Sequence, residues 1–265
     1  TALVSVMYAN NEVGTIEPLS DIGSVLGSIN RQRALKRLPK VLLHTDACQA
    51  GGVLELDVNK LKVDLLTLNA SKIAGPRGAG MLYIRAGVQI EPLLRGGGQE
   101  RGLRSGTENT AAIVGFAAAL ELDQSKRSKQ VKHLLALQTF LETKLSKLKG
   151  LQFNGPRNNK PAAKQFNFGL TKLPSTINFS IKGIEGEALM LYLDAEGFAV
   201  ATGSACTTAS TDPSHVLLAM GVSPKLADSS IRLSLGSHNT KTELARFVVA
   251  LNKVVTMLQK TKHDL

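Results

Sequence analysis

The stretch VLLHTDACQ, at Val41–Gln49, places a largely apolar run of strand length directly before an acidic residue, Asp46. Two similar runs occur at Leu3–Met7 and Asp64–Asn69, and apolar residues at helical spacing occupy Ser20–Leu35. Strands that alternate with helices predict βαβ units and a mostly parallel sheet. Ligands of such sheets bind beyond the carboxyl ends of the strands, so Asp46 falls where a ligand contact is expected.

The sequence predicts an α/β protein with two domains. Residues 1–150 are expected to form a larger domain with a mostly parallel sheet and a long helix, and residues 151–265 a smaller α+β domain. Asn154–Pro174 is rich in Asn, Pro, Lys and Gly, which indicates a loop or a domain boundary. Ser20 is the expected N-cap of the first helix, and Phe198–Ala201 is an expected strand of the smaller domain.

Composition narrows the functional classes. The 265 residues carry a formal net charge of +11 but only 4% aromatic residues and no Trp, so base-stacking platforms are sparse and nucleic acid is not an expected partner. Two cysteines do not make a disulfide framework or a zinc site, which favours a reducing compartment and no metal. The longest nearly uncharged apolar stretch, Thr110–Leu120, is too short to cross a bilayer, so no membrane association is expected.

A first group of candidate residues consists of Asp46, Gln49 and Lys72. A carboxylate beyond a buried strand favours a cationic partner, and a lysine beyond the next strand can form a Schiff base with a carbonyl compound. An Asp for a pyridinium nitrogen and a Schiff-base Lys are the two features of a pyridoxal phosphate site. The pair alone is also consistent with a helix cap and a surface lysine.

Three further stretches contain residue types that suit anion binding or nucleophilic chemistry. Arg95–Thr107 combines glycines, hydroxyls and arginines, which favours an anionic ligand or a subunit contact over a plain flexible loop. In GSACTTAS, Gly203–Ser210, Cys206 among small residues suits an accessible thiolate, and a buried structural cysteine is the alternative. Arg232, in the middle of an apolar strand, requires a carboxylate partner, either from a substrate or from an internal ion pair.

Taken together, six blocks in this order resemble the cysteine desulfurases of the NifS/IscS type, in the class V aminotransferase group of fold type I pyridoxal phosphate enzymes. The resemblance covers nearly the whole chain, and the ordered set is far more specific than any single block. The blocks are MYANNEVGTIEP at Met7–Pro18, HTDACQAGG at His44–Gly52, SKIAGPRGAGMLYIR at Ser71–Arg85, GGGQERGLRSGTENT at Gly96–Thr110, GSACTTAS, and SSIRLSLG at Ser229–Gly236.

The resemblance implies which residues hold the cofactor. Lys72 would form the Schiff base with pyridoxal phosphate, Asp46 would bind its pyridine nitrogen and Gln49 its phenolic oxygen. Asn11 would lie close to the cofactor and to the substrate carboxylate. Thr107 would reach the cofactor phosphate of the other subunit, which implies a homodimer.

The resemblance also implies the reaction. Arg232 would bind the carboxylate of L-cysteine, and Cys206 would take its sulfur as a persulfide, with release of L-alanine and transfer to an iron–sulfur scaffold or a thiolation acceptor. A selenocysteine lyase or another class V enzyme is the first alternative. A non-catalytic fragment that serves as a dimerisation or sulfur-relay partner is the second. A cytoplasmic location is expected, or the mitochondrial matrix if the organism is eukaryotic.

The chain departs from the family pattern at several positions. Ser71 replaces a usual His before the Schiff-base lysine, and Asn69 replaces a usual phosphate-binding Ser. Both residues can still donate hydrogen bonds to a phosphate. Cys48 replaces a small residue and is interpreted as a structural core thiol. The family's usual N-terminal segment, with its ring-stacking His, does not precede Met7, so we expect this chain alone to bind the cofactor weakly.

Overall fold

The computed structural model describes residues 1–158, 169–203 and 213–261. The chain divides into two compact units, a first unit of Thr1–Ala9 and Glu17–Arg127 and a second unit of Asn10–Ile16 and Ser128–Leu265. The division falls within one long helix, after Arg127, and not at the expected residue 150. The reason is that the later part of this helix buries its own apolar stripe within the second unit, at Val131, Leu134, Leu137, Leu141 and Leu145.

The first unit is built around a four-stranded sheet. Its strands lie side by side in the order β1 (Leu3–Met7), β2 (Leu42–Asp46), β3 (Leu65–Asn69) and β4 (Gly80–Ile84). β1 and β3 each run parallel to β2, whereas β4 runs antiparallel to β3. The predicted α/β class with a mostly parallel sheet is therefore confirmed. The helices of this unit are α1 (Leu19–Leu35), α2 (Val58–Leu61) and the first part of α3 (Thr110–Leu145).

Strand β2 shows how the sequence pattern places Asp46. Successive side chains of a strand point to opposite faces of the sheet. Leu43 and Thr45 are buried on one face, whereas His44 is half-buried and Asp46 exposed on the other. The aspartate thus ends the strand on the face that leads to solvent.

Helix α1 begins before its expected N-cap. The main-chain oxygen of Pro18 accepts hydrogen bonds from the N–H groups of Asp21 and Ile22, so Pro18 occupies the N-cap position, without a side-chain cap. Ser20 lies inside the first turn. The prediction of Ser20 as N-cap is wrong because the buried Leu19 already belongs to the helix.

The second unit contains a three-stranded antiparallel sheet in the order β5 (Leu151–Asn154), β6 (Thr176–Ile181) and β7 (Ser230–Ser234). All six residues of β6 are buried, so this strand is central to the core. The remainder of α3 belongs to this unit, together with α4 (Gly186–Ala195), α5 (His215–Ala219), α6 (Pro224–Ala227) and α7 (Lys241–Thr261). Of the helices in the described ranges, none is sufficiently long and apolar to span a membrane.

The segment Phe198–Ala201 differs from its prediction as a strand. Its one pairing outside the named strands is an isolated bridge between Ala201 and Arg232. The ring of Phe198 packs edge-on against Phe247 of α7, with ring centroids 5.5 Å apart. The apolar pattern of this segment therefore reflects packing on a helix and not a full sheet ladder.

Candidate active site

The carboxyl ends of β2 and β3 bring the predicted cofactor residues to one edge of the sheet in the first unit. Asp46 is the last residue of β2, and Asn69 is the last residue of β3. A 3₁₀ turn at Ala70–Ile73 follows β3 directly and carries Ser71 and Lys72. Because β2 and β3 are parallel neighbours, their ends meet at the same edge of the sheet, which is where open α/β sheets bind ligands.

The carboxylate of Asp46 is oriented by the turn that follows it. Its Oδ1 accepts a hydrogen bond from the N–H of Cys48 at 2.9 Å, and its main-chain oxygen accepts one from the N–H of Tyr8 at 2.7 Å. The side chain remains exposed. A cationic or protonated ligand group can therefore reach a carboxylate whose direction is already set.

The thiol of Cys48 shows that Asp46 and Lys72 share one neighbourhood. Burial, a hydrogen bond with Asp46 and the negative charge of Asp46 raise the pKa of this thiol to about 12, and the positive charge of Lys72 acts in the opposite direction. Because the Coulomb interaction weakens with distance and is screened by salt, both charges must lie close to this thiol to shift its pKa. Cys48 is half-buried, with Sγ 4.0 Å from the main-chain oxygen of Thr67, and its thiol is protonated at neutral pH.

Asn69 shapes the turn that presents Lys72. Its Oδ1 accepts hydrogen bonds from the N–H of Ser71 at 2.9 Å and from the Oγ of Ser71 at 2.8 Å. Ala74 closes the turn with a φ of 58°. Asn69, Ser71 and Lys72 are all exposed, and Gln49 on the neighbouring turn is half-buried. Amide, hydroxyl and amine groups thus lie together on one short surface segment.

Thr107 lies apart from this turn in the sequence. It follows the glycine-rich loop, in which Gln99 Oε1 accepts a hydrogen bond from the N–H of Gly106 at 3.2 Å. The side chain of Thr107 is exposed. The loop therefore has internal order, and it leaves the threonine hydroxyl free to meet another molecule.

Arg232 and Asn11 meet in the second unit. Nη1 of Arg232 donates a hydrogen bond to the main-chain oxygen of Asn11 at 3.0 Å, whereas Nε is buried and has no hydrogen-bond partner among the residues that the structure describes. Within the described ranges, no carboxylate lies at ion-pair distance from Arg232. The described residues therefore do not form the internal ion pair that was one of the two alternatives for Arg232. A buried donor without a partner costs about 1–3 kcal/mol, and a carboxylate from a ligand would relieve that cost.

The segment Asn10–Ile16 is folded so that it presents Asn11. Asn10 Oδ1 accepts hydrogen bonds from the N–H groups of Glu12 and Val13, at 2.8 and 2.9 Å. Gly14 has a φ of 79°, and a Cβ on it would lie 3.0 Å from the Cβ of Thr176. Only glycine combines this backbone conformation with so close an approach to β6.

Two residues of this region were not among the sequence predictions. Glu12 is buried, and its Oε2 accepts a hydrogen bond from Ser214 Oγ at 2.5 Å. Asn178 is buried in β6, and its Nδ2 donates to the main-chain oxygen of Glu12 at 3.2 Å. The signal for Asn178 is a polar residue in the apolar run TINFSI, because a buried amide requires a partner. Cys206, predicted as the nucleophile, lies outside the described residues.

The described residues contain no group of three His, Cys, Asp or Glu side chains arranged to hold a metal ion. The chemistry that these residues offer is instead that of an amine beside a carboxylate in the first unit and a guanidinium with an unpaired donor in the second.

Comparison with known proteins identifies the family. The model of the class V aminotransferase family matches residues 1–247. A curated relative, the cysteine desulfurase IscS of Clostridium botulinum strain Hall, is 43% identical over 256 residues, which are 96% of this chain and 59% of that protein. The chain thus spans between 49% and 62% of the length of the curated relatives it matches.

Solved structures give the same result. A NifS-like protein matches with a TM-score of 0.82 and 37% identity, over 97% of this chain and 62% of that one. A second structure, described as SspA in complex with cysteine, matches with a TM-score of 0.62 and 31% identity, over 90% of this chain and 60% of that one.

Proposed function

Because the chain belongs to the class V aminotransferase family, we propose that it carries the cofactor and substrate residues of a pyridoxal-phosphate-dependent cysteine desulfurase. The observation that carries this proposal is the position of Asp46 and Lys72 at adjacent strand ends, where both charges act on the thiol of Cys48. A carboxylate and an amine at this edge of the sheet are what the two ends of pyridoxal phosphate require.

The donor set fits the cofactor. The carboxylate of Asp46, already oriented by the N–H of Cys48, is suited to a protonated ring nitrogen, and the amide of Gln49 to the phenolic oxygen. The exposed amine of Lys72 is suited to a carbonyl carbon, and the Asn69 Nδ2 and, once it turns from Asn69 Oδ1, the Ser71 hydroxyl are suited to a phosphate. When bound, pyridoxal phosphate supplies an electron sink that stabilises negative charge on the substrate.

Arg232 and Asn11 are proposed to hold the substrate carboxylate. The guanidinium of Arg232 is oriented by the main-chain oxygen of Asn11, and its buried Nε still lacks an acceptor. A carboxylate oxygen is the strongest acceptor for a guanidinium N–H. L-cysteine as the substrate is supported by the names of the relatives and by the structural neighbour described as a complex with cysteine.

Cys206 is proposed to accept the sulfur. In the overall reaction, the C–S bond of cysteine breaks, an S–S bond to Cys206 forms, and the β-carbon takes a proton, so that L-alanine and an enzyme persulfide result. Cys48 does not suit this role, because burial and Asp46 raise the pKa of its thiol to about 12. At pH 7 only about one such thiol in 10⁵ is ionised, and the thiolate is the nucleophile.

The test is a titration of the purified chain with pyridoxal phosphate, followed by an assay of alanine and sulfide from L-cysteine in the presence of dithiothreitol, which reduces the persulfide and releases its outer sulfur as sulfide. An absorbance band that Lys72→Ala abolishes is expected. Cys206→Ala should keep that band and lose sulfide release, and Cys48→Ala should keep both. Sulfide release that survives Cys206→Ala but not Cys48→Ala would assign the nucleophile to the wrong cysteine, and a band that ignores Lys72→Ala would refute the cofactor site.

We further propose a homodimer in which Thr107 serves the cofactor phosphate of the partner subunit. Its exposed position after the glycine-rich loop supports this. Mixing Lys72→Ala with Thr107→Ala chains should then restore sulfide release above that of either variant alone. The persulfide is proposed to pass to an iron–sulfur scaffold or a thiolation acceptor. A reducing compartment, the cytoplasm or a mitochondrial matrix, is consistent with the content of two cysteines.

A further inference from the structure

A row of polar residues crosses the sheet of the second unit and ends at Arg232. Asn154 of β5 lies opposite Asn178 of β6, and Asn178 lies opposite Arg232 of β7. Directly opposite residues of antiparallel strands share one face of the sheet. Asn154 and Asn178 are 3% and 0% exposed, respectively. Two buried amides therefore stand in line with the guanidinium that is proposed to bind the substrate.

The amides of this row are joined by hydrogen bonds. Asn154 Nδ2 donates to Asn178 Oδ1 at 2.8 Å and to Ser180 Oγ at 2.9 Å. The Nδ2 of Asn178 donates in turn to the main-chain oxygen of Glu12 at 3.2 Å. The direction of the Asn178 amide is thus fixed, because its oxygen faces Asn154 and its nitrogen faces the segment Asn10–Ile16.

Asn178 and Arg232 both hold the segment Asn10–Ile16. Asn178 and Arg232 are cross-strand neighbours, and each donates to the main chain of the same segment. Asn178 holds the oxygen of Glu12, and Arg232 holds the oxygen of Asn11, one peptide away. A shift of the segment at Glu12 therefore moves the carbonyl that orients the guanidinium.

The other contacts of the segment hold different atoms. Ser214 donates to the side chain of Glu12. Val13 packs in an apolar cluster with Leu217 and Ala227. Both contacts keep the segment on the second unit when the Asn178 amide is removed, so such a variant can stay folded and still lose the alignment of the Asn11 carbonyl.

Resting on the proposed function, we propose that Asn178 is a positioning residue for the substrate carboxylate: it holds the main chain at Glu12 and thereby sets the Asn11 carbonyl that orients Arg232. Asn178 acts through Arg232 and does not itself contact the substrate. Its loss should weaken the binding of ligands that carry a carboxylate, whereas an amine that lacks one should leave Arg232 unaffected in every variant.

The experiment follows the Nε–H resonance of Arg232 in the ¹⁵N spectrum of the cofactor-free chain, assigned by its absence in Arg232→Lys. L-alanine, which carries the carboxylate, and ethylamine, which does not, are the two probes. In the unaltered chain L-alanine should shift this resonance and ethylamine should not. Asn178→Ala and the near-isosteric Asn178→Leu, which both lack the donor and add no charge beside Arg232, should raise the apparent Kd of L-alanine about tenfold, or about 1.4 kcal/mol.

Ser180→Ala is the matched control. Ser180 is equally buried in β6, two residues from Asn178, and bonds to Asn154 in the same row. Its removal should change the Kd of L-alanine less than twofold. Circular dichroism melts establish that each variant is folded. Should Asn178→Ala unfold, Asn178→Ser keeps a hydroxyl donor, and its Kd is expected to fall between those of the unaltered chain and Asn178→Leu.

The possible outcomes separate this inference from the proposed function. Folded Asn178 variants with the Kd of the Ser180→Ala control would refute the positioning role. If L-alanine does not shift the Arg232 resonance in the unaltered chain, Arg232 does not bind a carboxylate, and both this part of the proposed function and the positioning role of Asn178 are refuted. A carboxylate response that depends on Asn178, in a chain that releases no sulfide from cysteine, would instead refute only the desulfurase activity.

Discussion

Substitutions of Asp46 and Lys72 should change the reactivity of Cys48 in opposite directions, and no cofactor is needed to measure it. The pKa of the Cys48 thiol is raised to about 12 by burial and by the hydrogen bond and charge of Asp46, and Lys72 opposes this rise. Asp46→Asn removes the negative charge, so the thiol should ionise more readily. Lys72→Ala removes the positive charge, so it should ionise less readily.

The magnitude follows from the thiolate fraction. At pH 8, a thiol with the ordinary pKa of 9.0 is about one-tenth ionised, and one with a pKa of about 12 is ionised about 10³-fold less. A more basic thiolate is intrinsically more reactive, with a Brønsted coefficient of about 0.4–0.5, which recovers about 20-fold. Cys48 in the folded chain should therefore be alkylated about 50-fold more slowly than in the unfolded chain. Each unit by which the pKa falls should speed alkylation about 3.5-fold.

The assay is alkylation by iodoacetamide at pH 8, with the peptide that contains Cys48 quantified by mass spectrometry so that Cys206 does not interfere. The chain in urea supplies the unfolded rate. Asp46→Asn should be alkylated several-fold faster than the unaltered chain, and Lys72→Ala more slowly. Equal rates in all three folded proteins, or faster alkylation of Lys72→Ala, would show that the two charges do not meet at Cys48, and the assignment of the cofactor site would lose its basis.

The remaining predictions concern the second unit. Glu142→Gln should destabilise the chain by about 3–5 kcal/mol in urea unfolding, because it leaves the ammonium of Lys172, 1% exposed and 3.1 Å from Glu142, buried without its counter-ion. Burial lowers the pKa of Lys172 in the folded chain from its ordinary value of 10.5. Between the folded and the unfolded pKa, the unfolded chain binds more protons, so the free energy of unfolding should rise with pH in this range. Lys172→Met should abolish this rise. Gly14→Ala should cost about 1–2 kcal/mol for a φ of 79° plus a clash with Thr176, measured against Gly183→Ala, where φ is 82° and the added Cβ would meet no heavy atom within 4 Å.

The proposed cofactor residues of the first unit could be predicted from the sequence because their signals are local. Asp46 and Lys72 each follow an apolar run of strand length, and parallel strands align their carboxyl ends. The domain division could not be read in the same way. Helix α3 continues its helical pattern without a break from Thr110 to Leu145, and only the packing of its later apolar residues assigns that part to the second unit.

The proposed substrate residues of the second unit depend on contacts between distant parts of the chain. An arginine in the middle of an apolar strand predicts a partner, and a carboxylate is the natural expectation from the sequence. Within the described part of the chain, the guanidinium of Arg232 instead donates to a main-chain oxygen from a residue 221 positions earlier, and its Nε has no partner there. A main-chain carbonyl carries no signature in the sequence, which is why the identity of this partner could not be predicted.

For Asn178 the sequence predicts that hydrogen-bond partners exist, although it does not predict which residues they are. An amide at the centre of the apolar run TINFSI is costly to bury unless its groups are paired. The sequence alone therefore indicates that a donor and an acceptor face this position. Its partners are Asn154, 24 residues earlier, and the main chain of Glu12, 166 residues earlier. An apolar residue at this position would leave the buried amide of Asn154 and the main-chain oxygen of Glu12 without this partner, so its loss should lower stability as well as the alignment of the segment Asn10–Ile16. Melts measure the first effect, and the Kd of L-alanine in Asn178→Ala against Ser180→Ala measures the second.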